Sequence, residues 1–142
     1  MIKDIRHTGI VVNDLDASIY FYRDLLGFKI TKQMDEKGEY IDNVLSLQNA
    51  DVTTVKMALS SGQAIELLKY HSYPVEKKKR EVYEIGISHI ALTVVNLDAE
   101  YQMLRGRGIQ FKSSPQLSPD GYAKVAFCMA PEGTLIELVE VL

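Results

Sequence analysis

The sequence predicts an α+β fold made of two βαβββ modules in tandem, and three observations lead there. The phrase His7-Thr8-Gly9-Ile10-Val11-Val12-Asn13-Asp14-Leu15-Asp16-Ala17 returns as His89-Ile90-Ala91-Leu92-Thr93-Val94-Val95-Asn96-Leu97-Asp98-Ala99. Both halves close alike, on Gly62-Gln63-Ala64-Ile65-Glu66-Leu67 and on Gly133-Thr134-Leu135-Ile136-Glu137-Leu138. Between these marks each half alternates a β-branched run, a helical stripe and further apolar runs, so the repeat is one of structure as well as of letters.

The first element is a strand over Ile5 to Val12, dense in β-branched residues. Asp14 is a good N-cap for a helix with apolar positions at Leu15, Ile19, Tyr22 and Leu26, and Gly27 ends it. Phe28 to Met34 is the next strand, followed by a polar turn at Gly38 and an ambiguous segment, Tyr40 to Leu47. Val52 to Leu59 and Ala64 to Tyr70 complete the first module, which occupies residues 1–72. A polar linker over 73–85 leads to the second module, 86–142, the two forming one domain. There the helical stripe recurs at Leu97, Tyr101 and Leu104, with Gly108 beyond it. Ile109 to Lys112 reads as a short strand and residues 113–121 as a loop. Tyr122 to Met129 and Thr134 to Val141 read as a hairpin across Pro131-Glu132-Gly133.

Composition narrows the function classes. With 142 residues, 46% hydrophobic and 25% charged, the chain has the balance of an ordinary globular domain. A net charge of −3 with scattered lysines and arginines argues against nucleic acid as a partner. Lys77-Lys78-Lys79-Arg80 is flanked by Glu76 and Glu81 and reads as a solvated loop; Arg6 and Arg105 are also expected in solvent. No apolar run reaches the ~18 residues of a membrane span, and Met1-Ile2-Lys3-Asp4-Ile5-Arg6 has no leader pattern, so the expectation is a protein without a membrane partner. The lone Cys128 lies in an apolar strand and points to a reducing, cytoplasmic setting.

The recurrence of one histidine and one glutamate per half carries the chemistry. Strand alternation puts His7 with Gly9 and Val11 on one face and the more apolar Thr8, Ile10 and Val12 on the face beneath the helix, leaving His7 on the concave side. His89 sits beside Ala91 and Thr93 by the same count. Glu66 alternates with Ile65 and Leu67, and Glu137 with Ile136 and Leu138, so each carboxylate points away from its apolar neighbours. A carboxylate withdrawn from water needs a counter-charge, and no lysine or arginine recurs in both halves to supply one. His7, Glu66, His89 and Glu137 are therefore expected to bind one divalent metal ion such as Ni, Co, Zn, Mn or Fe(II), with positions left open for a small-molecule substrate.

The His-led strand, Phe21-Tyr22-Arg23-Asp24-Leu25-Leu26-Gly27-Phe28, and Ala130-Pro131-Glu132-Gly133-Thr134-Leu135-Ile136-Glu137-Leu138 resemble the vicinal oxygen chelate superfamily, which holds glyoxalase I, methylmalonyl-CoA epimerase, extradiol dioxygenases and bleomycin-binding proteins. The resemblance spans nearly the whole chain. It implies paired βαβββ modules forming a cup-shaped, mostly antiparallel sheet, a metal held at positions matching His7, Glu66, His89 and Glu137, and commonly a homodimer. Two His and two Glu are similar to bacterial glyoxalase I and to some epimerases, which implies a lyase or isomerase working through an enediolate, with Glu137 or Glu66 as catalytic base.

Two features depart from that pattern. Val11 stands where glyoxalase I usually has an arginine for the glutathione carboxylate, which is more like an epimerase. Ser88 precedes His89, where epimerases often double the histidine. An extradiol-type oxygenase and a non-catalytic small-molecule binder are the remaining alternatives. His71, just past a ligand-bearing strand, and Tyr122 are further candidates to line the site.

Overall fold

The computed structural model describes residues 1–78 and 81–142, so Lys79 and Arg80 of the basic run lie outside the described residues. The chain divides into two compact units, Met1–Lys77 and Lys78–Leu142.

In the first unit, strand β1 (Thr8–Val11) starts later than the apolar pattern suggests, because Ile5 points into solvent and Thr8 is the first residue with a partner strand. Ile10 and Val12 are buried and Val11 is exposed, the alternation expected of a half-buried strand. The Asp14 carboxylate accepts the Ala17 N–H at 3.0 Å and caps helix α1 (Leu15–Ile19). The helix then widens into a π-helical segment over Tyr20–Leu25, with the Leu26 N–H donating to the Phe21 carbonyl. That wider turn brings the adjacent Phe21 and Tyr22 inward together, edge to face at 5.0 Å, where a 3.6-residue stripe had only Tyr22. Gly27, at φ 79°, lets the chain leave the helix.

Strands β2 (Lys29–Lys37), β3 (Asp51–Ala58) and β4 (Ala64–Tyr70) complete a four-stranded sheet ordered β1-β4-β3-β2, in which β1 runs parallel to β4 and the other neighbours are antiparallel. Helix α1 packs on β4, whose Ile65 and Leu67 are buried. The ambiguous segment is helix α2 (Glu39–Leu45). Its Ile41 joins Ala50 and Val52 in a small core with Leu47, Leu68 and Tyr70, and the Asp42 carboxylate takes the N–H groups of Asn49 and Ala50 at 3.0 and 2.7 Å.

The second unit repeats the order. Strand β5 (His89–Thr93) leads to helix α3 (Leu97–Gly106), capped by Asn96, whose side chain accepts the Ala99 N–H at 2.9 Å. The Leu97 N–H donates to Glu140 Oε2 at 2.8 Å, tying the helix start to the last strand. Leu97 and Leu104 are fully buried, and the helix packs on β7 (Ala123–Met129) and β8 (Leu135–Val141). The expected strand at Ile109 to Lys112 is absent: Phe111 makes a lone bridge to Cys128, and the paired strand is β6 (Gln116–Leu117), inside the stretch read as a loop. Pro115 has no N–H to give a ladder, so the segment runs beside β7 in two pieces. The sheet order is β5-β8-β7-β6, with β5 parallel to β8 and the rest antiparallel. No helix among the described residues is long and apolar enough to cross a membrane.

Candidate metal centre

Parallel pairing of the first and last strand builds the same pair in each unit. Gly9 is the register partner of Glu66, and His7 lies two residues earlier on the same face; Ala91 is the partner of Glu137, and His89 lies two residues earlier. His7 Nε2 stands 3.0 Å from Glu66 Oε2, and His89 Nε2 stands 3.2 Å from Glu137 Oε2. Each carboxylate is mostly shielded, with side-chain exposures of 13% and 21%. Ile65, Leu67, Ile136 and Leu138 are buried on the other faces. The structure thus joins His7 to Glu66 and His89 to Glu137. Among the described residues no group of three or more His, Cys, Asp and Glu stands close enough to hold an ion, so the pair is the recurring element.

Those separations fit two neighbouring ligands of a first-row divalent ion. With metal bonds of about 2.1 Å, adjacent donors lie roughly 3.0 Å apart in an octahedron and roughly 3.4 Å in a tetrahedron. The hydrogen bonding of His89 adds to the fit. Ser88 Oγ donates to the Val82 carbonyl at 3.3 Å and lies 3.0 Å from His89 Nδ1, so its lone pair is free to accept the Nδ1 proton. With Nδ1 occupied in this way, Nε2 is the ring nitrogen turned to Glu137, and it is the one that would bind an ion.

Sequence reasoning missed the neighbours that distinguish the two pairs. Lys56, on β3, is the register partner of Glu66, and its Nζ lies 3.5 Å from Glu66 Oε1. In the second unit the corresponding partner of Glu137 is Phe127, whose ring meets the His89 imidazole edge to face at 5.2 Å. Cross-strand register is set by turns and bulges far from these residues, and the repeat, weaker over β3 and β7, gave no signal for it.

The other candidates lie elsewhere. His71 Nε2 is 2.9 Å from Thr53 Oγ1, which donates to Asp35 Oδ1 at 2.6 Å. Thr53 sits on the face of β3 opposite to that of Lys56, so this cluster is on the far side of the sheet from Glu66. Tyr122 is exposed, its N–H held by Asp120, whose carboxyl is lowered from its ordinary value by the Ser118 hydroxyl and then by that N–H. Arg6 and Arg105 are both exposed as expected; Arg105 also lies over the Tyr101 ring, 5.4 Å from its centroid, beside an open groove of about 520 Å³ with Phe111, Ser113 and Ser114. Cys128 is fully buried, and desolvation pushes its thiol up to about 12.

Comparison with known proteins decides the family. Residues 4–138 match the model of the Glyoxalase/Bleomycin resistance protein/Dioxygenase superfamily. The chain belongs to this superfamily. Lactoylglutathione lyase of Schizosaccharomyces pombe is 31% identical over 95% of the chain, which spans 46% of that protein's length. Lactoylglutathione lyase of Haemophilus influenzae is 30% identical over 96% of the chain and 91% of its own length. In three dimensions a glyoxalase family protein from Bacillus cereus shares the superfamily fold with a TM-score of 0.91 at 22% identity, covering 100% of this chain and 96% of its own. The α+β class and mostly antiparallel sheets expected from the sequence are those of the superfamily.

Proposed function

We propose that this protein is a divalent-metal-dependent lyase or isomerase of the glyoxalase I type, acting on a small substrate with two adjacent oxygens through an enediolate-like intermediate. His7, Glu66, His89 and Glu137 together hold one ion, each unit giving one His–Glu pair, and the protein works as a homodimer in the cytoplasm. The observation that carries this reading is the pair built twice, with donor separations of 3.0 and 3.2 Å suited to a shared ion. The relatives named lactoylglutathione lyase support the same chemistry.

When bound, such an ion acidifies a C–H beside a carbonyl and stabilises the negative charge that develops there. The residues of the chain do the rest. Glu137 is the better placed base, because among the described residues only His89 stands within ion-pair distance of it, whereas Glu66 has both His7 and Lys56 beside it. A carboxylate with one oxygen free can take a proton from one carbon of the substrate and return it to the next. Phe127 supplies an apolar wall beside it. Val11, exposed on the face of His7, offers no charge to a glutathione carboxylate and favours an epimerase-like substrate as the second reading.

The test is to load the purified protein separately with nickel, cobalt, manganese and iron(II). Turnover is then followed with the hemithioacetal of methylglyoxal and glutathione and with methylmalonyl-CoA. We expect stoichiometric metal and turnover of one of the two, both lost in Glu137→Gln. Full metal content and full rate in that variant would sink the reading. In a mixed dimer of His7→Ala and His89→Ala chains, recovered activity shows a site shared between copies, and continued inactivity a site closed within one chain.

A further inference from the structure

A β-bulge in the first unit puts a second lysine in line with Lys56. Ile30 pairs with Met57, but the next pairing is Lys32 with Lys56, so Thr31 is the extra residue. The Thr31 hydroxyl holds the bulge by donating to the Lys56 carbonyl at 3.2 Å. Without it Thr31 would oppose Lys56, and Lys32 would turn to the other face. As built, Lys32, Lys56 and Glu66 form one row across β2, β3 and β4, which meets β1 at Gly9, and His7, two residues before Gly9, reaches Glu66.

Like charges directly opposed across two strands are destabilising, and Lys32 is the register partner of Lys56. Among the described residues Glu66 is the only ion-pair partner of Lys56, at 3.5 Å. That carboxylate is also the one assigned above to the metal, and this inference rests on that assignment. Once Glu66 gives its charge to an ion, the Lys56 ammonium loses the counter-charge it has here, with Lys32 as its cross-strand neighbour. In the second unit Phe127 takes the position of Lys56. The cationic row is therefore a feature of the first unit's His–Glu pair and not of the second's.

We propose that Lys56, assisted by Lys32, binds an oxyanion that the substrate carries in addition to its two adjacent oxygens. Lys56 is accordingly a specificity-determining residue, and the substrate class is a small molecule with a carboxylate or phosphate tail. A lysine ammonium is a compact point charge on a flexible stem and can follow such a tail.

The test uses nickel-loaded protein and three 2-hydroxy acids with the same bidentate head: glycerate, malate and 3-phosphoglycerate. Affinities are read by titration calorimetry and nickel content by elemental analysis. The parent protein is expected to bind malate or 3-phosphoglycerate about tenfold more tightly than glycerate, one charge-assisted contact being worth roughly that much. Whichever tail gains identifies carboxylate or phosphate. Lys56→Met should erase the preference while leaving nickel content and glycerate affinity within twofold, Lys56→Arg should restore it, and Lys32→Met should reduce it in part. A parent without preference, or a preference that survives in Lys56→Met, overturns the inference alone. Equal loss of all three acids in Lys56→Met also overturns it, because Lys56 would then be supporting Glu66. A parent that takes up no nickel overturns the proposed function and this inference together.

Discussion

Lys56 and Phe127 hold the same register position in the two sheets, the lysine opposite Glu66 and the phenylalanine opposite Glu137. One carboxylate therefore has a charged neighbour and the other an aromatic one. The consequences for stability differ. Phe127→Leu removes an edge-to-face contact with His89 and should cost about 1 kcal/mol, read as a lower midpoint in urea. Lys56→Met should stay within about 0.5 kcal/mol of the parent, since a partly exposed ion pair is worth little and its loss also relieves Lys32. A large loss on Lys56→Met would show that the pair with Glu66 is a structural one.

Ser88 orients His89 from the side away from Glu137. Ser88→Ala should leave the fold intact and weaken metal retention by roughly tenfold, the usual size of such supporting contacts. Competition with a coloured chelator measures it. Retention equal to the parent would show that the imidazole is held by Phe127 alone.

Leu104 is fully buried where α3 meets its sheet. Leu104→Ala should lower stability by about 2–5 kcal/mol through lost burial and the cavity left behind. Urea unfolding followed by circular dichroism gives the value. A change under about 1 kcal/mol would mean that the helix closes over the gap.

The Cys128 thiol is held protonated by burial, with its pKa raised from 9.0 to about 12. It should resist a disulfide reagent at pH 8 in the folded protein and react at once in denaturant. Because the folded form keeps a proton that the unfolded form releases above its ordinary value, stability is undiminished below about pH 9 and falls as pH rises toward 12. Chemical denaturation across that range checks the sign, and Cys128→Ala should flatten the slope.

The caps and faces were legible because they follow from local geometry. Asp14 caps the helix it precedes, and His7 and Glu66 each point away from their buried strand neighbours as strand alternation requires. The π-helical turn that buries Phe21, the helix at Glu39–Leu45 and the broken edge at β6 were not legible. Each depends on what a neighbouring element offers: α2 forms because Val52, Leu68 and Tyr70 present an apolar surface to Ile41. Ser88 and Lys56 were passed over for a similar reason, since neither residue type recurs in the other half.

The sequence by itself determined the duplication and the α+β class, because both are written in local periodicity and in a repeated phrase. Only the tertiary structure decided which histidine meets which glutamate, and that a bulge at Thr31 turns Lys32 toward Lys56. Pairing register is a property of two strands at once, fixed by hydrogen bonds between residues distant in the chain, and no single strand carries it.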